Sequence, residues 1–278
     1  MSFANIATDW RRNFAQIVLG LKVAMAYKFD FLIGLITTPI SLFIFYFLWK
    51  AIYVFSGTAI IRGYSFDMLI NYFVLSMFVG FFAWSNIDDW MEYAIIHGDL
   101  ISDLIRPMSF IKQEFFFELG LKTMALIVQA IPLVIGAQLL LGLMFVSVGT
   151  TLLAILSLAL ASAMFFLISY LIGMGAFWLK RIGGLRRMKR GLILFLSGGM
   201  IPIAFFPTWF ITLSHYLPFE YIRYVPINVY MGQYTFSATG FGNLFVVLGA
   251  QLLWVILLFI AAQLMWKGAF KKFAGAGA

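Results

Sequence analysis

The chain has no cysteine, only two histidines, and charged residues at just 11% of its length. The first absence excludes disulfides and thiol chemistry. His97 and His215 are far apart, and no HExxH or related spacing accompanies them, so a metal site is not expected. The charged fraction is well below the roughly 25% of a soluble domain, so the chain cannot cover itself with polar surface. There is no GxxxxGK[ST] loop to cradle a phosphate, no GxSxG, and no Ser-His-Asp order. Nothing in the sequence indicates an enzyme, and no cofactor is expected in this chain.

What is present is apolar. Hydrophobic residues make up 63% of the 278 positions, with a mean hydropathy of +0.99. Apolar runs of 18 residues or more recur, which is the signature of membrane-spanning helices. The expected fold is an all-α polytopic membrane protein forming a single transmembrane domain over 1–278. Six spans are expected: about Phe31–Phe55, Asp67–Trp90, Phe115–Val146, Thr151–Trp178, Leu192–Leu213 and Phe241–Trp266. No internal repeat is evident.

Residues 1–30 precede the spans. Ile6, Trp10, Phe14, Ile17, Leu21 and Met25 recur at helical spacing, with Asp9, Arg12 and Gln16 opposite. This predicts an amphipathic helix lying in the membrane interface. The first long apolar run begins only near Phe31, after Arg11, Arg12, Lys22 and Lys28, which is not the layout of a cleavable signal. Residues 267–278 form a basic tail.

Basic residues set the orientation. One side holds Arg11, Arg12, Lys22 and Lys28, then Arg106 and Lys112, then the loop "KRIGGLRRMKR", then Lys267, Lys271 and Lys272. The other holds Lys50, Arg62 and Arg223. Both termini and the segment Glu92–Phe110 are therefore expected in the cytoplasm. A net charge of +8 is explained by this asymmetry, and membrane lipid is the expected partner of the basic loop rather than nucleic acid.

Four groups of residues merit attention. The stretch "EYAIIHGDLISDLIRPMSF" places Tyr93, Ile96, Leu100 and Leu104 on one helical face. Glu92, Asp99, Ser102, Asp103 and Arg106 fall on or near the other. Asp99 is placed to cap a short helix, and Pro107 to end it. His97 and Gly98 lie at its start. Such a helix either docks on a partner or rests on the bilayer. Second, Glu114, Glu118 and Lys122 share one face at the start of the third span, as a neutralising group or a pivot. Third, "SGGMIPIAFFPTWF" puts Gly198, Gly199, Pro202 and Pro207 inside the fifth span, which must bend there. Last, "LPFEYIRYVPIN" is too apolar for a free loop and too short for a span. It predicts an outer re-entrant element in which Glu220 and Arg223 pair. Otherwise the span interiors hold few ionisable groups. Asp88, Asp89 and Lys50 sit near span ends, where snorkelling accounts for them.

These pieces, in this order, resemble the ABC-2 type permease family, the membrane subunits of ATP-binding-cassette exporters. The likeness rests on the amphipathic start, the six spans, "GDLISDLIRP" after the second, "GGMIPIAFFP" in the fifth and "LPFEYIRYVPIN" behind it. It is nearest to the six-span branch whose ATPase is a separate subunit. The resemblance implies a second permease subunit, identical or a paralogue, and separate ATPase subunits that bind ATP and Mg. It makes 92–110 a coupling helix and the outer segment part of a gate, in a bacterial inner membrane. Many aromatic residues suit an amphipathic substrate such as a drug, peptide or lipid. The alternative is a secondary transporter or channel not driven by ATP, disfavoured by the scarcity of intramembrane acids.

Overall fold

Long apolar runs leave the backbone no partner but itself, so helix is the form expected of them. The computed structural model, which describes residues 3–142, 147–235 and 240–275, is built of helices with one small hairpin. Helices α1 (Phe3–Ala26), α2 (Lys28–Ser56), α3 (Phe66–Ala83), α4 (Ile87–His97) and α5 (Leu100–Leu104) come first. Then follow α6 (Phe110–Ala125), α7 (Ile131–Leu141), α8 (Val148–Met174), α9 (Ala176–Leu179) and α10 (Gly183–Leu196). The last are α11 (Thr208–Ser214), α12 (Tyr224–Tyr230) and α13 (Leu244–Gly275). Strands β1 (Ile60–Ile61) and β2 (Tyr64–Ser65) join α2 to α3 in a two-residue hairpin that the sequence did not suggest. Arg62 and Gly63 both take positive φ there, as such a turn requires. Tyr53 donates to the Tyr64 carbonyl at 2.6 Å and ties the ends of α2 and α3 together.

Among the described residues, five helical segments are long and apolar enough to cross a membrane: 31–56, 66–97, 110–141, 148–179 and 244–269. The expected end of the third span at Val146 lies outside the described residues. The expected fifth span, Leu192–Leu213, is not one helix. Helix α10 stops at Leu196, and a turn leads to a short 3-10 segment at Ile203–Phe205 before α11 begins. Gly198 has φ +79°, open to glycine, and a Cβ there would also meet the Tyr72 hydroxyl at 2.7 Å. Pro202 and Pro207 then hold extended backbone. The break is held by Tyr72, which donates to the Gly198 carbonyl at 2.7 Å, and by the Tyr224 amide, which donates to the Ser197 carbonyl at 3.0 Å.

Helix α1 lies along α6. The apolar stripe read from the sequence is not its buried face: Trp10, Phe14 and Met25 are exposed. The seam is made of small residues. A Cβ on Gly20 would stand 2.1 Å from the Phe117 carbonyl oxygen, and one on Gly120 2.1 Å from that of Ile17. Backbone meets backbone at this crossing, as small residues allow in membranes. The aromatic stripe is left free for lipid.

Two apolar clusters form the interior. The larger joins α2, α3, α8 and α12, and the smaller joins α4, α6, α8 and α13. Gln251 of α13 is fully buried. It donates to the carbonyls of Ser157 and Tyr221 and accepts from Ser157 Oγ at 2.9 Å, joining α13, α8 and the outer segment.

Candidate coupling site

The second span breaks between α3 and α4. Trp84 is extended (ψ 142°), so Ser85 and Asn86 lose helical partners, and side chains from other helices take them up. Glu118 Oε1 accepts from Ser85 Oγ at 2.7 Å and from the Asn86 amide at 3.2 Å. Lys189 donates to the Ser85 carbonyl at 3.4 Å and to Ser169 Oγ at 2.9 Å. Its ammonium lies 2.9 Å from Asp88 Oδ2, with both side chains almost wholly buried. Asp88 is therefore no snorkelling residue, and Lys189 is not part of a solvated loop. Both corrections have one cause: α10 folds back and lays its inner face on α4 and α8.

Glu118 also faces Lys122, 3.7 Å away, and Lys122 donates to Ser162 Oγ at 2.7 Å. The expected group is thus assembled in part. Glu118 and Lys122 pair, while Glu114 is buried without a salt bridge among the described residues, near the carboxylates of Asp103 and Glu118.

Below the break, α4 runs to Gly98, whose φ of +82° turns the chain into α5. Asp99 is exposed and its side chain makes no cap. Its helical backbone points the carboxylate away, and the carbonyls of Gly98 and Asp99 accept the first α5 amides instead. Leu100 is fully buried. Asp103, expected on the outward charged face, is buried at 4% exposure. It accepts from Gln113 Nε2 at 3.0 Å and pairs with Arg106 at 3.3 Å. Glu92 also turns inward, accepting from the Ile182 amide and from Arg186 at 2.9 Å, and Arg186 pairs with Asp89 as well. Pro107 ends the segment, and its carbonyl accepts from Arg12 of α1 at 3.0 Å.

The outward face is apolar. Trp90, Tyr93 and His97 stack along α4, with ring centroids 5.8 and 4.2 Å apart. Tyr93, Ile96, Ile101 and Ile105 are exposed, Ile105 to 79%. Glu92 and Asp103 lock the segment to the body, while Asp99, Ser102 and Arg106 stay exposed beside the outward apolar residues. The helical-face reading is therefore reversed for Glu92, Asp103, Tyr93 and Ile96 and kept for Leu100, Asp99, Ser102 and Arg106.

The outer pair is not formed. Glu220 accepts from Ser214 Oγ at 2.6 Å and contacts His215 Nδ1 at 2.9 Å. Arg223 instead reaches Ser76 in the middle of α3, 3.3 Å from its carbonyl oxygen and 3.4 Å from its hydroxyl. The 3-10 turn at Glu220–Ile222 separates the two side chains.

A bundle of helices with apolar spans, a broken second span and a locked helical segment below it defines a polytopic α-helical membrane protein. A family model described as ABC-2 family transporter protein matches residues 29–277, and the chain belongs to that family. It is a membrane component rather than itself a catalytic enzyme. No curated protein and no solved structure matches the chain.

Proposed function

We propose that the chain is the permease subunit of an ATP-binding-cassette exporter. It forms a pathway with a second permease subunit and is driven by separate ATPase subunits that hold ATP and Mg. Residues 92–110 are the docking element, and its contact surface is apolar: Tyr93, Ile96, Ile101 and Ile105, rimmed by Asp99 and Arg106. The observation that carries this reading is that exposed face on a segment whose two inward carboxylates, Glu92 and Asp103, are engaged with α10 and α6 and whose end is held by Arg12 of α1. An apolar face of this kind on a rigid mount suits a protein groove. Family membership supplies the ATPase as the partner.

In this reading α10 and α11, with the turn between them, make a broken fifth crossing, for six in all. Both termini lie in the cytoplasm of a bacterial inner membrane, α1 braces the junction through Arg12, and residues 217–230 line the outer gate. The cargo is amphipathic. Affinity purification of the tagged chain from its own cells tests the proposal. An ATPase with a phosphate-binding loop should accompany the native chain and be lost from Ile101→Asp, Ile105→Asp. Its absence from the native chain, or its retention on that variant, overturns the assignment.

One observation favours a second reading. Glu114, buried without a salt bridge among the described residues, is the type of group a proton-coupled transporter uses. Export that follows a proton gradient without ATP would select it.

A further inference from the structure

Arg223 is a cation without a counter-charge. It lies beside Ser76, about 15 Å along α3 from its first residue at 1.5 Å per residue, in a span of high hydropathy. No carboxylate reaches it among the described residues. Nη1 meets Ser76, and among the described residues neither Nη2 nor Nε has an acceptor. Glu220, three residues before it, is committed to Ser214 and His215. An unpaired guanidinium at such a position costs several kcal/mol, and its default reading is a functional site with a missing partner.

The side chain passes between two glycines. A Cβ on Gly80 would stand 3.1 Å from Nη2, and a Cβ on Gly199 would stand 3.1 Å from Cδ. Glycine therefore flanks the cation on both α3 and the turn after α10. One helical turn towards the α4 end, Arg190 of α10 lies over the Trp84 ring at 5.9 Å. Trp84 follows Gly80 by one turn, and Arg190 precedes Leu194, which also touches the Gly199 position. Two guanidinium groups thus stand in succession, Arg223 at Gly80 and Arg190 one turn on at Trp84.

We infer that Arg223, held between Gly80 and Gly199, binds an oxyanion carried on an apolar body, a carboxylate or phosphate amphiphile. Arg190 over Trp84 is the approach to it. A planar guanidinium whose Nη2 and Nε are unengaged among the described residues matches such a head group, and Leu194, beside Gly199, offers apolar surface to the chain. This names a cargo class for the proposed permease and rests on that reading for its transport sense. Binding itself requires no ATPase, so the two fail separately.

The test uses the full chain in uncharged dodecyl maltoside micelles. Its melting midpoint is followed by tryptophan fluorescence as small mole fractions of four additives are introduced: dodecyl phosphate, laurate, dodecanol and dodecyltrimethylammonium. The two anions should raise the midpoint saturably, and the neutral and cationic chains should not. Equal effects of dodecanol and the anions overturn the inference without any variant. Arg223→Gln should weaken the anion response roughly tenfold or more. Gly80→Val keeps the charge but fills the space and should do the same. Arg187→Gln, an exposed charge on α10, should leave it intact. Undiminished response in a folded Arg223→Gln or Gly80→Val protein overturns it. Competition by phosphatidylglycerol, with none by phosphatidylcholine, assigns the site to a membrane lipid. Its failure to compete assigns the site to the single-chain amphiphile.

Discussion

Asp88 and Lys189, drawn from α4 and α10, form an ion pair at 2.9 Å with almost no exposure on either side. The ammonium also lies over the Phe165 ring, 5.4 Å from its centre. Removing one member leaves a buried charge alone, which costs about 3–5 kcal/mol, whereas replacing both by apolar groups is often neutral. Asp88→Leu and Lys189→Met should each lower the melting midpoint of the purified chain sharply. The double variant should recover most of the loss. Additive losses would show that the two side chains do not act as a pair.

Asp99 and Asp103 should behave differently. Asp99 is exposed and makes no cap, so Asp99→Lys should change stability by no more than about 0.5 kcal/mol. Asp103→Lys would put a cation beside Arg106 and strand Gln113, so yield and melting midpoint should both fall. Thermal melting of the two single variants decides this. Equal tolerance would remove Asp103 from the interior.

The α1–α6 crossing depends on the absence of side chains. Gly120→Val must push α1 away, since backbone of Ile17 and Leu21 lies within 2.7 Å of the added Cβ. Overpacking of this sort costs about 1–3 kcal/mol. Protease digestion of intact vesicles should then cut within the first 30 residues of the variant but not of the native chain.

Topology is accessible because the chain lacks cysteine. Thr58→Cys, in the connection between α2 and β1, should react with an impermeant maleimide from outside the cell. Gly184→Cys, at the start of α10, should react only after lysis. Outside labelling at 184 would invert the orientation.

The sequence marks a short amphipathic segment, but not which way it faces. Gly98 and Pro107 mark the ends of the segment, and helical spacing marks its nature. A five-residue helix is too short for periodicity to choose its buried side. That choice is made by groups remote in sequence: Gln113 waits for Asp103, and Arg186 arrives from α10 to take Glu92. The break between α10 and α11 was legible because glycine and proline act locally at 198, 199, 202 and 207. The Gly20–Gly120 seam and the Asp88–Lys189 pair were not, because each exists only once two helices meet. The Glu220–Arg223 pairing failed for a related reason. Sequence spacing allowed it, but the 3-10 turn sent one side chain towards α11 and the other into α3.

In the proposed exporter, the interruption at Trp84–Asn86 has a mechanical meaning. A continuous helix would transmit a shove on its lower end straight along its own axis, to itself alone. Here the lower piece is articulated, and its joint is held by Glu118 on one flank and Lys189 on the other. Load applied at Ile105 is therefore divided at the joint, passing through one carboxylate to α6 and through one ammonium to α10, as a differential splits one shaft between two wheels. The two outputs reach different parts of the bundle: α6 continues through a π-helical turn at Leu126–Ala130 towards α2, where Gln129 donates to the Phe31 carbonyl at 2.8 Å. The other, α10, ends at the turn that abuts Tyr72 and Arg223. A single stroke from below is thus geared to two distant places at once.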